Sequence, residues 1–311
     1  MPNHRTPAST TPRRGRGKAR KTIELIEAAR SILEVEQPTT VRAVCYRLFV
    51  AGVIDSMSKN NTSMVSRHLV TARDEGTIPW EWIVDESREA EHIASWDDPD
   101  EIIEVAVRKY RKDYWRDQPE WIEIWSEKGT VRGALAPVLN EYGLTFRVMH
   151  GFSSATTINA VAASTRDSEK PLTILYIGDY DPSGLYMSEV DIPSRLDRYS
   201  ARATIHRIAL TDADVHAGEL PSFEAATKTG DPRHKWFTRH YGRRCWELDA
   251  MPAPDLRQRV QEEVLVRLDY GRWKHAKEVE AAEIESMQSV MKSWQESISR
   301  LVEKRLSGGR P

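Results

Sequence analysis

Residues 172–177 read Leu-Thr-Ile-Leu-Tyr-Ile, a run with no charge and no alternation of polar and apolar positions. A strand with one wet face alternates with a period of two, so this run predicts a strand buried on both faces. Such a strand needs helices above and below it, and its neighbours in sequence supply them. Strands are expected over 121–125, 145–149 and 204–210, and helices over 131–142, 155–164 and 187–195. Strand and helix in strict alternation specify a mainly parallel α/β sheet. After Pro254 the pattern becomes long helices to Arg305.

The N-terminal part obeys a different rule. Ile23, Leu25, Ile26, Ala29, Ile32 and Leu33 recur at helical spacing, Pro38 interrupts them, and Thr39/Thr40 can cap a second helix through Phe49. A third helix is expected over 61–75, closed by Gly76, and an extended piece over 78–84. Three short helices and an extended element suggest a winged helix-turn-helix with Arg67, His68 and Arg73 facing DNA. A helical bundle with a solvated basic face has the same pattern. The fold class expected is therefore α/β plus α. Its domains are a disordered basic tail over 1–22, a winged helix over 23–92, a linker helix over 93–118 and an α/β domain with helical extension over 119–311.

Bulk properties narrow the function. The net charge of -2 means that nucleic-acid contact must come from local basic patches. One such patch is the tail, with Arg5, Arg13, Arg14, Arg16, Lys18, Arg20 and Lys21 and no acid between them. It suits phosphate contact and, equally, a solubilising role. The two cysteines, Cys45 and Cys245, form neither a CxxC pair nor a zinc spacing, which suits a reducing cytoplasm. No apolar run approaches a membrane span, so no membrane partner is expected.

The chemistry is concentrated where strands end. Gly178-Asp179-Tyr180-Asp181-Pro182-Ser183-Gly184 follows the buried strand directly. Ligands of parallel sheets bind at the carboxyl ends of strands. Residues two apart in extended backbone point the same way, so Asp179 and Asp181 are expected to present two carboxylates to one spot. A divalent cation relieves their repulsion. Glu127, at the end of the strand over 121–125, can supply a third oxygen ligand, and Lys128 can meet a phosphate. Three hard oxygen donors suit Mg²⁺, with Mn²⁺ as a substitute. The competing reading is a turn that uses Asp, Pro and Gly for their backbone preferences. Asp212-Ala213-Asp214 lacks the Pro-x-Gly turn and reads as a loop or helix cap. Lys228, Asp231 and Arg233 form a polar loop able to contact phosphate, and His150, His206 and His234 have no ligand spacing.

Glu127-Lys128 after one strand, with Asp179-x-Asp181-Pro182-x-Gly184 two strands later, resembles a Toprim domain. The Asp-x-Asp-Pro-x-Gly form resembles the A subunit of topoisomerase VI and the related meiotic double-strand-break proteins, and Glu247-Leu248-Asp249-Ala250-Met251 resembles that family's C-terminal Glu-x-x-Ala-Leu segment. The resemblance runs from about Arg42 to the C-terminal helices and is nearest to short phage or bacterial relatives. It implies Mg²⁺-dependent cleavage of double-stranded DNA by a homodimer, on the nucleoid or encoded by a phage. By the same resemblance Tyr46 is the nucleophile that forms a 5′-phosphotyrosyl link. Arg42 stands four residues before it and shares its helix face. The chain departs from the family pattern at Ala43, Cys45 and the segment 149–154. It carries no Walker-type phosphate loop, so strand passage would need a separate ATPase subunit. Two further functions fit the same residues: a Toprim nuclease in which water attacks, and a non-catalytic DNA-binding protein.

Overall fold

The computed structural model describes residues 20–84, 95–96, 99–149, 155–225 and 230–307. Most of the basic tail, the domain boundary at 92/93, His150, the segment 151–154 and Lys228 lie outside these residues.

The N-terminal domain has three helices, α1 (Arg20–Glu36), α2 (Val41–Val50) and α3 (Lys59–Asp74). Helix α1 begins at Arg20, within the stretch expected as tail, and its first turn carries an Arg20–Glu24 pair at 2.8 Å. Thr40 caps α2 by accepting from the Ala43 N–H at 3.1 Å. Ser58 does the same for α3 through Asn61, which moves the helix start ahead of residue 61. Leu25, Ala29, Leu33, Val44, Leu48 and Leu69 fill the space between the helices. At about 1.5–3 kcal/mol for each large apolar side chain buried, this cluster is what orders the domain.

The piece expected as extended over 78–84 is different. It is a 3₁₀ turn, Trp80–Trp82, followed by one backbone bridge between Thr39 and Ile83. Pro79 has no N–H to offer a ladder. The Arg73 guanidinium takes the Trp80 carbonyl at 2.8 Å and stacks on the Trp80 ring 4.1 Å away. No strand ladder stands beside α3 among the described residues, so the helical trio is seen and a wing is not.

Helix α4 (Pro99–Lys109) ends sooner than the linker helix expected to residue 116. The basic segment after it is latched to the last helix of the chain. Lys112 pairs with Glu283 at 2.8 Å, and the buried Glu280 accepts from Tyr114 at 2.8 Å.

The α/β domain follows the expected alternation. Strands β1 (Trp121–Ser126), β2 (Thr145–Val148), β3 (Leu172–Ile177) and β4 (Ala203–Ala209) form one parallel sheet in the order β2-β1-β3-β4. The connecting helices are α5 (Val131–Tyr142), α6 (Ala155–Asp167), and α7 (Pro182–Tyr186) running through a π turn into α8 (Ile192–Arg198). All six residues of β3 are buried, as the unbroken apolar run requires. Leu175 and Ile177 face one core layer, Ile174 and Tyr176 the other.

A short helix α9 (Asp212–His216), a two-residue hairpin of β5 (Phe223–Glu224) and β6 (Arg244–Cys245), and α10 (His234–His240) precede the C-terminal pair α11 (Ala253–Arg267) and α12 (Tyr270–Ser307). Helix α11 also ties the domains together. The Arg257 guanidinium donates to the Ala134 carbonyl at 3.0 Å and the Pro38 carbonyl at 3.4 Å. No helix among the described residues is long and apolar enough to cross a membrane.

Candidate functional site

The register of the sheet builds the site. Ser126 lies opposite Ile177, so β1 and β3 leave the sheet side by side, carrying Glu127-Lys128 and Gly178-Asp179. The sequence motif is thus at the carboxyl edge, where backbone groups no longer pair and side chains can act. Gly184 holds the loop closed: a Cβ there would collide with the Asp179 carbonyl oxygen.

The two aspartates do not act alike. Asp179 Oδ1 accepts from the Leu248 N–H at 2.7 Å and from Lys128 Nζ at 2.9 Å. Asp181 turns to the start of α7, where its Oδ1 accepts from the Gly184 N–H at 2.7 Å. Backbone direction puts both on one loop, and the helix cap then claims one oxygen of the second. The same division applies at 212–214. Asp214 closes a capping box with Thr211 and binds Arg259 at 2.6 Å, and these partners hold its carboxyl below the usual carboxylate range despite burial. That is the helix-cap role its pattern suggests.

Lys128 is the centre of charge. Its Nζ lies 2.8 Å from Asp249 Oδ2 and 2.9 Å from Asp179 Oδ1, and its side chain is 24% exposed. Burial works against its charge, but the two carboxylates outweigh burial and raise its pKa above the ordinary lysine range. Asp249 is held from its other side as well. Thr40 donates to Asp249 Oδ1 at 3.3 Å, and Arg42 Nε lies 3.6 Å from Asp249 Oδ2. Arg42 also donates through Nε to Glu247 Oε2 at 2.7 Å. The N-terminus of α2 is therefore bonded to the edge of the α/β domain. Arg42, Lys128, Asp179, Glu247 and Asp249 line one cleft of about 540 Å³.

Tyr46 lies one turn along α2 from Arg42, with the guanidinium 5.9 Å from its ring centre. It is 5% exposed. Burial and the Glu247 carboxylate raise its hydroxyl above the ordinary tyrosine range, while Arg42 and Lys128 act the other way. Burial also pushes the neighbouring Cys45 thiol up to about 11.

Beneath the loop lies a residue that sequence reasoning missed. Arg207, on β4, donates to the carbonyls of Gly178 (2.9 Å), Asp179, Gly184 (3.1 Å) and Leu210 (2.7 Å), and to Ser188 Oγ (2.7 Å). It holds the Asp-x-Asp loop by its backbone. In the sequence it is one polar position of a half-polar strand, with no local sign of this role. Asp249 was visible only as part of a resembling motif. Glu123 is buried and fully engaged, accepting from Arg147 twice at 2.9 Å and from Trp125 Nε1 at 2.6 Å, which makes it structural.

The remaining predicted DNA contacts spread out. Arg67 is exposed on α3, its Nε on the Ser63 carbonyl at 3.3 Å. His68 faces a separate cleft of about 260 Å³ between α1 and the turn after α2. Arg73 is committed to Trp80, as described. None of the three lies in the cleft of Lys128.

The donor chemistry at the sheet edge fits a hard divalent cation. Tyr176, fully buried, has a hydroxyl with no hydrogen-bond partner. Burial raises its pKa, Arg207 opposes this, and Glu127, Asp179 and Asp181 each add to the rise. The three predicted ligands thus act on one point. Among the described residues, no three such groups stand close enough to hold one ion as they are. The Lys128 ammonium already bridges Asp179 and Asp249, and Asp181 is drawn into its cap. The sequence matches no protein-family model and has no significant match among curated proteins.

Proposed function

We propose that the chain cleaves DNA with the help of Mg²⁺, in the manner of a topoisomerase VI A subunit, with Tyr46 as the nucleophile. The observation that carries this reading is the single cleft. It joins Arg42, one helical turn from Tyr46, to Lys128 and Asp179 at the carboxyl edge of the parallel sheet. Phosphodiester cleavage needs a nucleophile, cations for the phosphate and a place for a metal, and these residues are the only set in the chain that the resemblance assigns to all three.

Arg42 and Lys128 would bind the phosphate and orient it. The Tyr46 oxygen would form a bond to phosphorus as the bond to the 3′ oxygen breaks, with the phenolic proton ending on the departing 3′ hydroxyl. Mg²⁺ held by Glu127, Asp179 and Asp181 would neutralise charge on the phosphate oxygens. Lys128 must leave Asp179 for that ion to enter, and Tyr46 must become accessible, so DNA has to displace α2 from Glu247 and Asp249. Copies would act in pairs, one strand each.

The burial of Tyr46 and its raised pKa favour a second reading, in which water attacks and Tyr46 is a core residue. Denaturing trap of a covalent protein–DNA adduct, with and without Mg²⁺ or Mn²⁺, separates the two. The first reading expects an adduct with the wild-type chain and none with Tyr46→Phe. Cleavage by Tyr46→Phe without any adduct overturns it in favour of the nuclease. Salt-sensitive DNA binding without cleavage in either metal overturns both.

A further inference from the structure

Helix α12 has 38 residues, about 57 Å at 1.5 Å per residue, yet its fully buried positions are Trp273 and Glu280. Everything beyond Glu280 leaves the body of the domain. A helix that runs on in water without packing is marginal unless something covers its apolar face.

That face is regular. Ile284, Met287, Met291, Trp294, Ile298 and Leu301 follow one another at alternating steps of three and four. This is the seven-residue repeat of a helix seam that packs knobs into holes. Helix α4 takes up the first part, packing against α12 with Tyr110 on Glu283 at 2.6 Å. Its 11 residues span about 16 Å, so from that anchor it reaches about as far as Trp294. Past it the seam continues bare. Leu301 is 62% exposed and Val302, beside it, 49%.

We infer that the seam from Trp294 to Leu306 pairs with the same stretch of a second copy of this chain. Two features favour a copy over another partner. The stretch continues a seam already used within the chain, so its spacing suits a helix of the same repeat. The positions flanking the seam from 288 to 302 are Gln288, Val290, Gln295, Ser297 and Val302, none of them charged. Identical helices set side by side meet like with like, and charges there would repel. Neutral flanks remove that obstacle, and they offer no charge pattern to select a different chain. The pairing does not depend on the reading of the cleft and involves none of its residues.

Sedimentation of the full chain at a concentration on the order of 10 µM, where a micromolar interface is largely filled, tests the pairing. The wild type is expected at twice the 35.6 kDa chain mass. Ile298→Glu/Leu301→Glu is expected at the single-chain mass. Ser293→Glu/Ser299→Glu, which adds the same charge away from the seam, is expected to remain paired. Thermal melting of all three checks that the body is intact, since both pairs of sites lie on a helix outside it. A wild type at single-chain mass overturns the inference, and so does a seam variant that pairs as tightly as the wild type. Neither result bears on adduct formation at Tyr46, which is read on DNA.

Discussion

Lys128 and Asp179 meet at 2.9 Å across the carboxyl edge of the sheet, so an ammonium from one strand end neutralises a carboxylate from the next. Because Asp249 lies 2.8 Å from the same nitrogen, Lys128→Met leaves two carboxylates facing each other. Removing one partner of a largely buried charge cluster costs about 3 kcal/mol. The variant is expected to unfold at lower urea, and Mg²⁺ is expected to restore more stability to it than to the wild type. Equal responses to Mg²⁺ would show that no ion enters beside Asp179.

Arg207 donates to four backbone carbonyls and one hydroxyl around the Asp-x-Asp loop. Lysine has three donors on one atom and cannot span them. Arg207→Lys should therefore cost about as much as Arg207→Met, on the order of 3 kcal/mol in denaturant unfolding. A lysine variant close to wild-type stability would contradict the bracing role.

At Gly184 a methyl group would strike the Asp179 carbonyl, which is backbone and cannot swing aside. Gly184→Ala is expected to lose about 1–3 kcal/mol, the range for an overpacked site. Ser183→Ala, one residue away, is the control that should stay near wild type in the same urea titration.

Glu247→Gln keeps the shape of the Arg42 contact and removes its charge. The pair is half exposed on the arginine side, so stability should change little. DNA retention should rise, because the cleft loses a negative charge and α2 loses its firmest tie to the edge. Filter binding across a salt series measures this, and weaker retention than wild type would argue against DNA in the cleft.

Burial raises the pKa values of Tyr46, Tyr176 and Tyr180, and Lys128 is raised by its two carboxylates. In the unfolded chain tyrosines ionise near pH 10 and lysine slightly above. Above that pH the folded state keeps protons that the unfolded state has lost, so stability falls as pH rises. Below it the contribution is fully present. Urea midpoints should be flat from these groups up to about pH 10 and then drop, less steeply in Tyr46→Phe.

Much of the fold was legible because local chemistry and burial agree there. The run 172–177 is a buried strand because nothing in it tolerates water, and the helix 131–142 was readable to the residue. The segment 78–84 was not. Its Trp and Ile suit a strand, but Pro79 and the Arg73 guanidinium turn it into a 3₁₀ turn. The start of α7 at Pro182 was missed for a related reason: Asp181, read as a ligand, is also its cap.

By itself the sequence determined that a buried parallel strand ends in two aspartates beside a strand ending in Glu127 and Lys128, since apolar runs and turn residues act over a few positions. Only the tertiary structure decided how those charges are shared. Asp249, Glu247 and Arg207 reach the loop from distant parts of the chain, and Arg42 reaches it from another domain. Electrostatic pairing depends on distance in space, which sequence spacing does not encode, and it assigned Lys128 to Asp179 and Asp181 to a helix.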